Sequence, residues 1–140
     1  QTHGLGLIPW SPLAGGFLTG KYRRNGGGDE QGRFSDGKHG RSEKLLNSDA
    51  AFDIVEKLEA LAKEKGCTTS QLALAWCVNQ PGITSPIIGP RTMQQLEDNL
   101  GALQVEVTDD DRKALDEVAP PGRVTVPFYE AKFGPMVHRW

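Results

Sequence analysis

Two stretches of this chain collect residue types that can hold a ligand. Residues 8–22 read IPWSPLAGGFLTGKY, and residues 87–99 read IIGPRTMQQLEDN. In the first, an apolar run turns at Ser11-Pro12, passes through Gly15-Gly16 and reaches Lys21. Small side chains let a ligand approach the backbone, and a lysine on a flexible stem supplies positive charge. In the second, Gly89-Pro90-Arg91-Thr92 leads from an apolar run into a helical pattern. The first N–H groups of a helix lack internal partners and carry partial positive charge, so they favour an anion. Arg91 adds a planar, permanently charged fork suited to phosphate. Together the two stretches point to a phosphorylated ligand lying across adjacent strand ends. Taken singly, a Gly-Pro-Arg-Thr turn is also an ordinary strand-to-helix connection.

Positioning these residues requires an ordered scaffold. Leu5–Trp10 is short and apolar, as a strand buried on both faces would be. A long Gly-rich polar loop follows, from Tyr22 to Glu43. Phe52, Val55, Leu58, Leu61 and Ala62 share one face of an amphipathic helix, with Ser48 or Asp49 as cap and Gly66 as stop. A second helix begins at Thr68 and Gln71, spaced as a capping box, and stops at Pro81-Gly82. Residues 83–89, ITSPIIG, form another short apolar strand. Thr92 and Gln95 open a third helix with capping-box spacing again, and Thr108 caps the last, with three acids on its positive end. Strands alternating with helices imply a parallel sheet covered by helices, hence an α/β fold. Ligands in such folds sit at the carboxyl ends of the strands, where both stretches fall. Two strands make a poor sheet, however, which points to part of a larger closed fold.

Composition narrows the function classes. The 140 residues carry 16 basic and 18 acidic side chains, a formal net charge of -2. That balance provides no electrostatic footprint for nucleic acid or an anionic membrane surface. No apolar run approaches the roughly 18 residues of a membrane span. Cys67 and Cys77 have no metal-ligand spacing around them, so no metal site is expected and a reduced, cytosolic setting is. The chain opens at Gln1 and runs directly into an apolar segment, without the charged and apolar regions of a secretory signal, as a start inside a fold would.

IPWSPLAGGFLTGKY and IIGPRTMQQLEDNLGALQVEVT together resemble the aldo-keto reductases, in the branch near bacterial reductases and potassium-channel β-subunits. The resemblance covers about Gly4 to Val118 and implies a (β/α)8 barrel. The two strands would be its seventh and eighth, with the last barrel helices following. Residues 1–118 would then be the C-terminal part of the barrel, including a cofactor-side loop at about 23–42, and residues 119–140 a C-terminal tail.

The same resemblance implies roles position by position. Trp10 matches the aromatic residue stacked on the nicotinamide ring, although a tryptophan at a strand end is also ordinary core. Ser11, Pro12, Leu13, Ala14 and Gly15 match the segment around the pyrophosphate, and Lys21 a lysine near it. Arg33, in a Gly-Arg-Phe element, matches a contact that closes over the cofactor. Gly89, Arg91 and Gln95 match the 2′-phosphate site, and Asp98 and Asn99 the pair that holds the adenine. Gln95 has an equally good reading as the capping-box partner of Thr92. A 2′-phosphate site implies NADPH as cofactor.

Family chemistry implies hydride transfer to a carbonyl, with a tyrosine acid supported by lysine, aspartate and histidine on earlier strands. None of those four sequence contexts occurs here. Tyr22 belongs to the Gly-Lys-Tyr segment and His3 precedes the first strand, so neither is a catalytic candidate. Tyr129 and His138, with Phe128, Phe133 and Trp140, could at most line a substrate pocket. A whole barrel takes about 250 residues. The expectation is therefore a C-terminal piece of an NADPH-dependent reductase of aldehydes or ketones, inactive alone, with a small carbonyl substrate and an open oligomeric state. Alternative readings are a cofactor-sensing or partner-binding subunit of the same family, or a non-catalytic half-barrel assembly module.

Overall fold

The computed structural model describes residues 4–24, 26, 32, 34 and 40–126. His3, Arg33 and the aromatic tail residues Phe128, Tyr129, Phe133, His138 and Trp140 lie outside the described residues. Helices α1 (Gly40–Leu46), α2 (Asp49–Lys65), α3 (Thr69–Val78), α4 (Met93–Leu100) and α5 (Asp109–Asp116) dominate, joined by tight 3-10 turns at Ala14–Thr19 and Gly101–Gln104.

Local chemistry sets most helix ends. The Ser48 hydroxyl accepts from the Ala51 N–H at 3.2 Å, which makes Ser48 the cap of α2 and Asp49 its first residue. Gly66 ends α2 in the left-handed conformation, φ 67°. The expected capping box on α3 forms, Thr68 with Gln71, and Thr108, expected as a simple cap, makes a full box with Asp111. At α4 the Thr92 hydroxyl accepts from the Gln95 N–H at 3.2 Å, but the Gln95 side chain does not return to Thr92. Its Oε1 accepts instead from the Arg91 N–H at 2.7 Å, one residue further back.

Helix α3 is the hub, packing against α2, α4 and both 3-10 turns. Leu72, Ala73, Leu74 and Ala75 are consecutive and all buried, so α3 has no solvent face over this turn. A helix apolar all round belongs in the middle of a core, and here it does. On one side it meets Leu58 and Ala62 of α2 and Leu115 of α5; on the other Ala102. Phe52 and Val55 of α2 join Phe17, Tyr22, Phe34 and Leu45 in a separate aromatic-rich cluster. The Phe17–Phe52 ring centroids lie 5.1 Å apart, as do those of Tyr22 and Phe34.

Three local expectations need correction. The loop expected through Glu43 contains the start of α1, which begins at Gly40. Leu45 explains the difference, because its burial in the aromatic cluster supplies the tertiary support a seven-residue helix needs. Gly15 and Gly16 hold left-handed backbone (φ 72° and 95°) at a kink in the Ala14–Thr19 segment, which seats Phe17, 2 % exposed, in the core. Finally, the two apolar strands pair in parallel but only through isolated bridges, Leu7 with Ile83 and Trp10 with Ile87. The first bridge spans from Leu7 N–H to the Gly82 carbonyl (3.1 Å) and from Thr84 N–H to the Leu7 carbonyl (2.8 Å). Pro9 and Pro86 then supply no N–H, and the second bridge is offset by one residue, so no continuous ladder forms. Nor is the first segment buried on both faces: Leu5, Leu7 and Ile8 are 79 %, 57 % and 60 % exposed. Among the described residues each segment has one neighbour, so its far face has nothing to pack on.

Candidate functional site

The ends of the two paired segments open into one cleft of about 450 Å³. That size falls within the range of small-molecule sites. Its first wall is the turn after Trp10. Ser11 (φ 55°) and Ala14 (φ 50°) are the two non-glycine residues with left-handed backbone among the described residues, and Gly15 (φ 72°) and Gly16 (φ 95°) follow. Non-glycine residues held this way cost of order 1 kcal/mol or more each and cluster at ligand sites. The strain is locally supported: the Ser11 carbonyl accepts from Ala14 N–H at 2.9 Å and the Ser11 hydroxyl from Gly15 N–H at 3.3 Å. The chain folds back so that Lys21 lies across the turn, with its Nζ 5.2 Å from the centre of the Tyr22 ring. A Cβ on Gly16 would stand 3.0 Å from the Lys21 Cε, so the missing side chain makes room for that lysine.

The second wall is α4 and the turn before it. Gln95, Asp98 and Asn99 are spaced i, i+3 and i+4 on one face of α4, and Arg91 lies just before its cap Thr92. All four line the cleft. The first N–H groups of α4, at Met93 and Gln94, have no intrahelical partners. The Asp98 carboxylate accepts from the Thr68 hydroxyl at 3.0 and 3.2 Å. Asn99 is 9 % exposed, and its side-chain amide has no hydrogen-bond partner among the described residues. A buried amide without partners is costly unless a ligand or water satisfies it.

Of the thirteen positions singled out from sequence, eleven line this cleft: Trp10, Ser11, Pro12, Leu13, Gly15, Lys21, Gly89, Arg91, Gln95, Asp98 and Asn99. Ala14 belongs to the same turn but does not line the cleft, and Arg33 lies outside the described residues. Trp10 is 60 % exposed and lines the cleft. The thirteen positions matched to the family omit Gly16, Thr19, Ser70, Ile87, Ile88 and Pro90, which also line the cleft. Gly16, Ile87, Ile88 and Pro90 adjoin positions already singled out, so simple adjacency is a usable signal. Ser70 had none, because only the packing of α3 beside α4 brings it to the cleft.

Other reactive groups are committed elsewhere. Tyr22 is buried and its hydroxyl accepts from the Phe34 N–H at 3.2 Å, a structural role. Burial pushes the thiols of Cys67 and Cys77 above their ordinary range, so neither is an activated nucleophile. A second groove of about 380 Å³ is lined by Lys65, Cys67, Gln104 and Glu106, but its ammonium is paired with Asp111 at 2.7 Å. No group of three or more His, Cys, Asp or Glu among the described residues is placed to hold a metal ion. No helix of the described residues is long and apolar enough to cross a membrane.

With this geometry in place, similarity to known proteins identifies the class. The pattern of the aldo/keto reductase family matches residues 1–120, and the chain belongs to that family. It is similar to the uncharacterized oxidoreductase YrpG of Bacillus subtilis, 36% identical over 127 residues that cover 90% of this chain and 36% of that protein. Probable voltage-gated potassium channel β subunits of Arabidopsis thaliana (39% over 106 residues) and Oryza sativa (39% over 108 residues) are similar as well. These alignments cover 74% and 75% of this chain, and 31% and 32% of the two plant proteins. The chain thus spans about a third of the length of the curated relatives it matches.

Proposed function

We propose that this chain is the C-terminal piece of an NADPH-dependent oxidoreductase that reduces aldehydes or ketones to alcohols. It carries much of the cofactor site and lacks the catalytic tetrad. The observation that carries this reading is the single cleft, in which two stretches about seventy residues apart in sequence meet. The residues present fit a dinucleotide. The turn at residues 11–16 lets backbone approach a diphosphate, with Lys21 across it. Arg91 and Gln95, beside the first turn of α4, suit a 2′-phosphate. The Asn99 amide, without a partner among the described residues, and the carboxylate of Asp98 suit adenine, and the exposed face of Trp10 suits the nicotinamide ring. When bound, the nicotinamide supplies the hydride that reduces the carbonyl. This chain's own residues bind and orient that cofactor and keep water from its diphosphate.

On this reading the paired segments are the seventh and eighth strands of a (β/α)8 barrel, and residues 119–140 form a tail beyond it. The exposed Leu5, Leu7 and Ile8 support it, because a preceding strand would cover them. The protein works in a reducing, cytosolic setting, consistent with two unpaired thiols. A second reading, a cofactor-binding subunit without turnover, draws support from the similarity to probable potassium channel β subunits.

Replacing Arg91 by alanine in the intact protein tests the cofactor assignment. NADPH should weaken by about ten- to a hundred-fold, the equivalent of about 1.5–3 kcal/mol for a charge-assisted contact. NADH, without the 2′-phosphate, should be nearly unaffected. Equal weakening of both refutes the phosphate assignment. Carbonyl-dependent NADPH oxidation by the intact protein separates reductase from sensor.

A further inference from the structure

Helix α3 reaches the cleft through its capping residues. The Thr68 hydroxyl accepts from the Gln71 N–H at 3.1 Å, which caps α3. It also lies 3.0 and 3.2 Å from the two carboxylate oxygens of Asp98 on α4. A carboxylate cannot donate, so the shared proton comes from Thr68, and the direction of that bond is fixed. Gln71 has two roles as well. Its Oε1 accepts from the Thr68 N–H at 3.0 Å, and its Nε2 donates to the Asp98 backbone carbonyl at 3.0 Å. The close approach depends on Gly101, where an added Cβ would run into the Gln71 Nε2. A capping box is complete without these outward bonds. Here both of its residues grip one residue of the neighbouring helix, by side chain and by backbone.

We propose that Thr68 and Gln71 are positioning residues that set the Asp98 carboxylate to read the exocyclic amino group of the cofactor's adenine. The inference rests on the proposed cofactor reading and adds to it how the adenine end gains selectivity. A carboxylate attracts the adenine amino group and repels the ring carbonyl that replaces it in a hypoxanthine. Held by Thr68 and by its own backbone carbonyl, Asp98 cannot swing away to avoid that carbonyl. Discrimination between the two bases is therefore a property of the clamp as well as of Asp98.

The test uses the intact protein and two probes, NADPH and its hypoxanthine analogue. The wild-type protein should prefer NADPH by roughly ten-fold or more, the scale of a hydrogen bond to a charged group. Thr68→Val keeps the side-chain shape and removes the hydroxyl; it should bring the two affinities close together. Thr68→Ser keeps the hydroxyl and should restore the preference. Gln71→Glu can still accept from the Thr68 N–H but cannot donate to Asp98, so it should reduce the preference too. It decides the matter if Thr68→Val fails to fold. A preference unchanged in folded Thr68→Val and Gln71→Glu overturns the inference. So does an equal loss for both probes, which is the signature of a purely structural cap. Wild-type protein that binds both probes alike overturns the inference and leaves the cofactor reading standing. Wild-type protein that binds neither overturns the cofactor reading itself.

Discussion

Helix α3 and the pair of extended segments are both built from apolar sequence, yet they finish differently. Leu72 in α3 is fully buried, with neighbours on every side. Ile8, of similar size, is 60 % exposed. Helices satisfy their backbone internally and need only side-chain contacts, which other helices of the same chain provide. An extended segment needs a hydrogen-bonding neighbour on each edge and cover on each face. Among the described residues each segment has one neighbour, so the site lies at the margin of a finished layer and an unfinished one.

Paired truncations give the sharpest test of that contrast. Leu72→Ala should cost about 2–5 kcal/mol by denaturant unfolding, as buried leucines do. Ile8→Ala should cost less than about 0.5 kcal/mol in the 140-residue chain, as exposed substitutions do. In the complete barrel proposed above, where further strands would cover it, the same change should cost about 2 kcal/mol or more. Equal small costs in both lengths would show that this face stays open.

A smaller effect belongs to the helical layer alone. The Asp111 carboxylate accepts from Lys65, and from the Thr108 N–H and hydroxyl at 2.7 and 2.8 Å. Burial pushes its pKa up, but Lys65 and Thr108 outweigh burial and hold it below its ordinary 3.8. A depressed carboxyl stabilises the fold above its unfolded pKa and loses that contribution as pH falls through the folded value. Asp111→Asn should therefore destabilise by about 1–3 kcal/mol at neutral pH. It should also flatten the loss of stability below about pH 4, read from unfolding midpoints across pH. An acid limb identical to wild type would show that the pair contributes nothing.

A further, modest effect on stability sits in the cleft. Gly16→Ala must hold a Cβ at φ 95° against the Lys21 side chain. A cost of about 1 kcal/mol is expected for the backbone, with a loss of cofactor affinity in the intact protein as Lys21 is displaced. Unchanged affinity would mean that Lys21 does not touch the ligand.

How much of this was readable beforehand depended on the range of each interaction. The caps at Ser48, Thr68 and Thr108 act over three residues, and all three formed where the spacing placed them. For Gln95 the capping-box return to Thr92 does not form, because its side chain accepts from the Arg91 N–H instead. Helix α1 was invisible because Leu45 gains its support from Phe52 and Tyr22, distant in sequence. Thr68 and Gln71 were legible as a cap, while their grip on Asp98 was not.

The sequence by itself determined the helices, their caps, the glycine-bearing turn and the residue types able to meet a phosphorylated ligand, because these rest on contacts within one or two helical turns. Tertiary structure decided that residues 10–21 and 87–99 share one cleft, that Ser70 joins it, and that the cap of α3 restrains Asp98. Those outcomes depend on how α3 packs beside α4 and how two proline-broken segments pair, which no local spacing encodes.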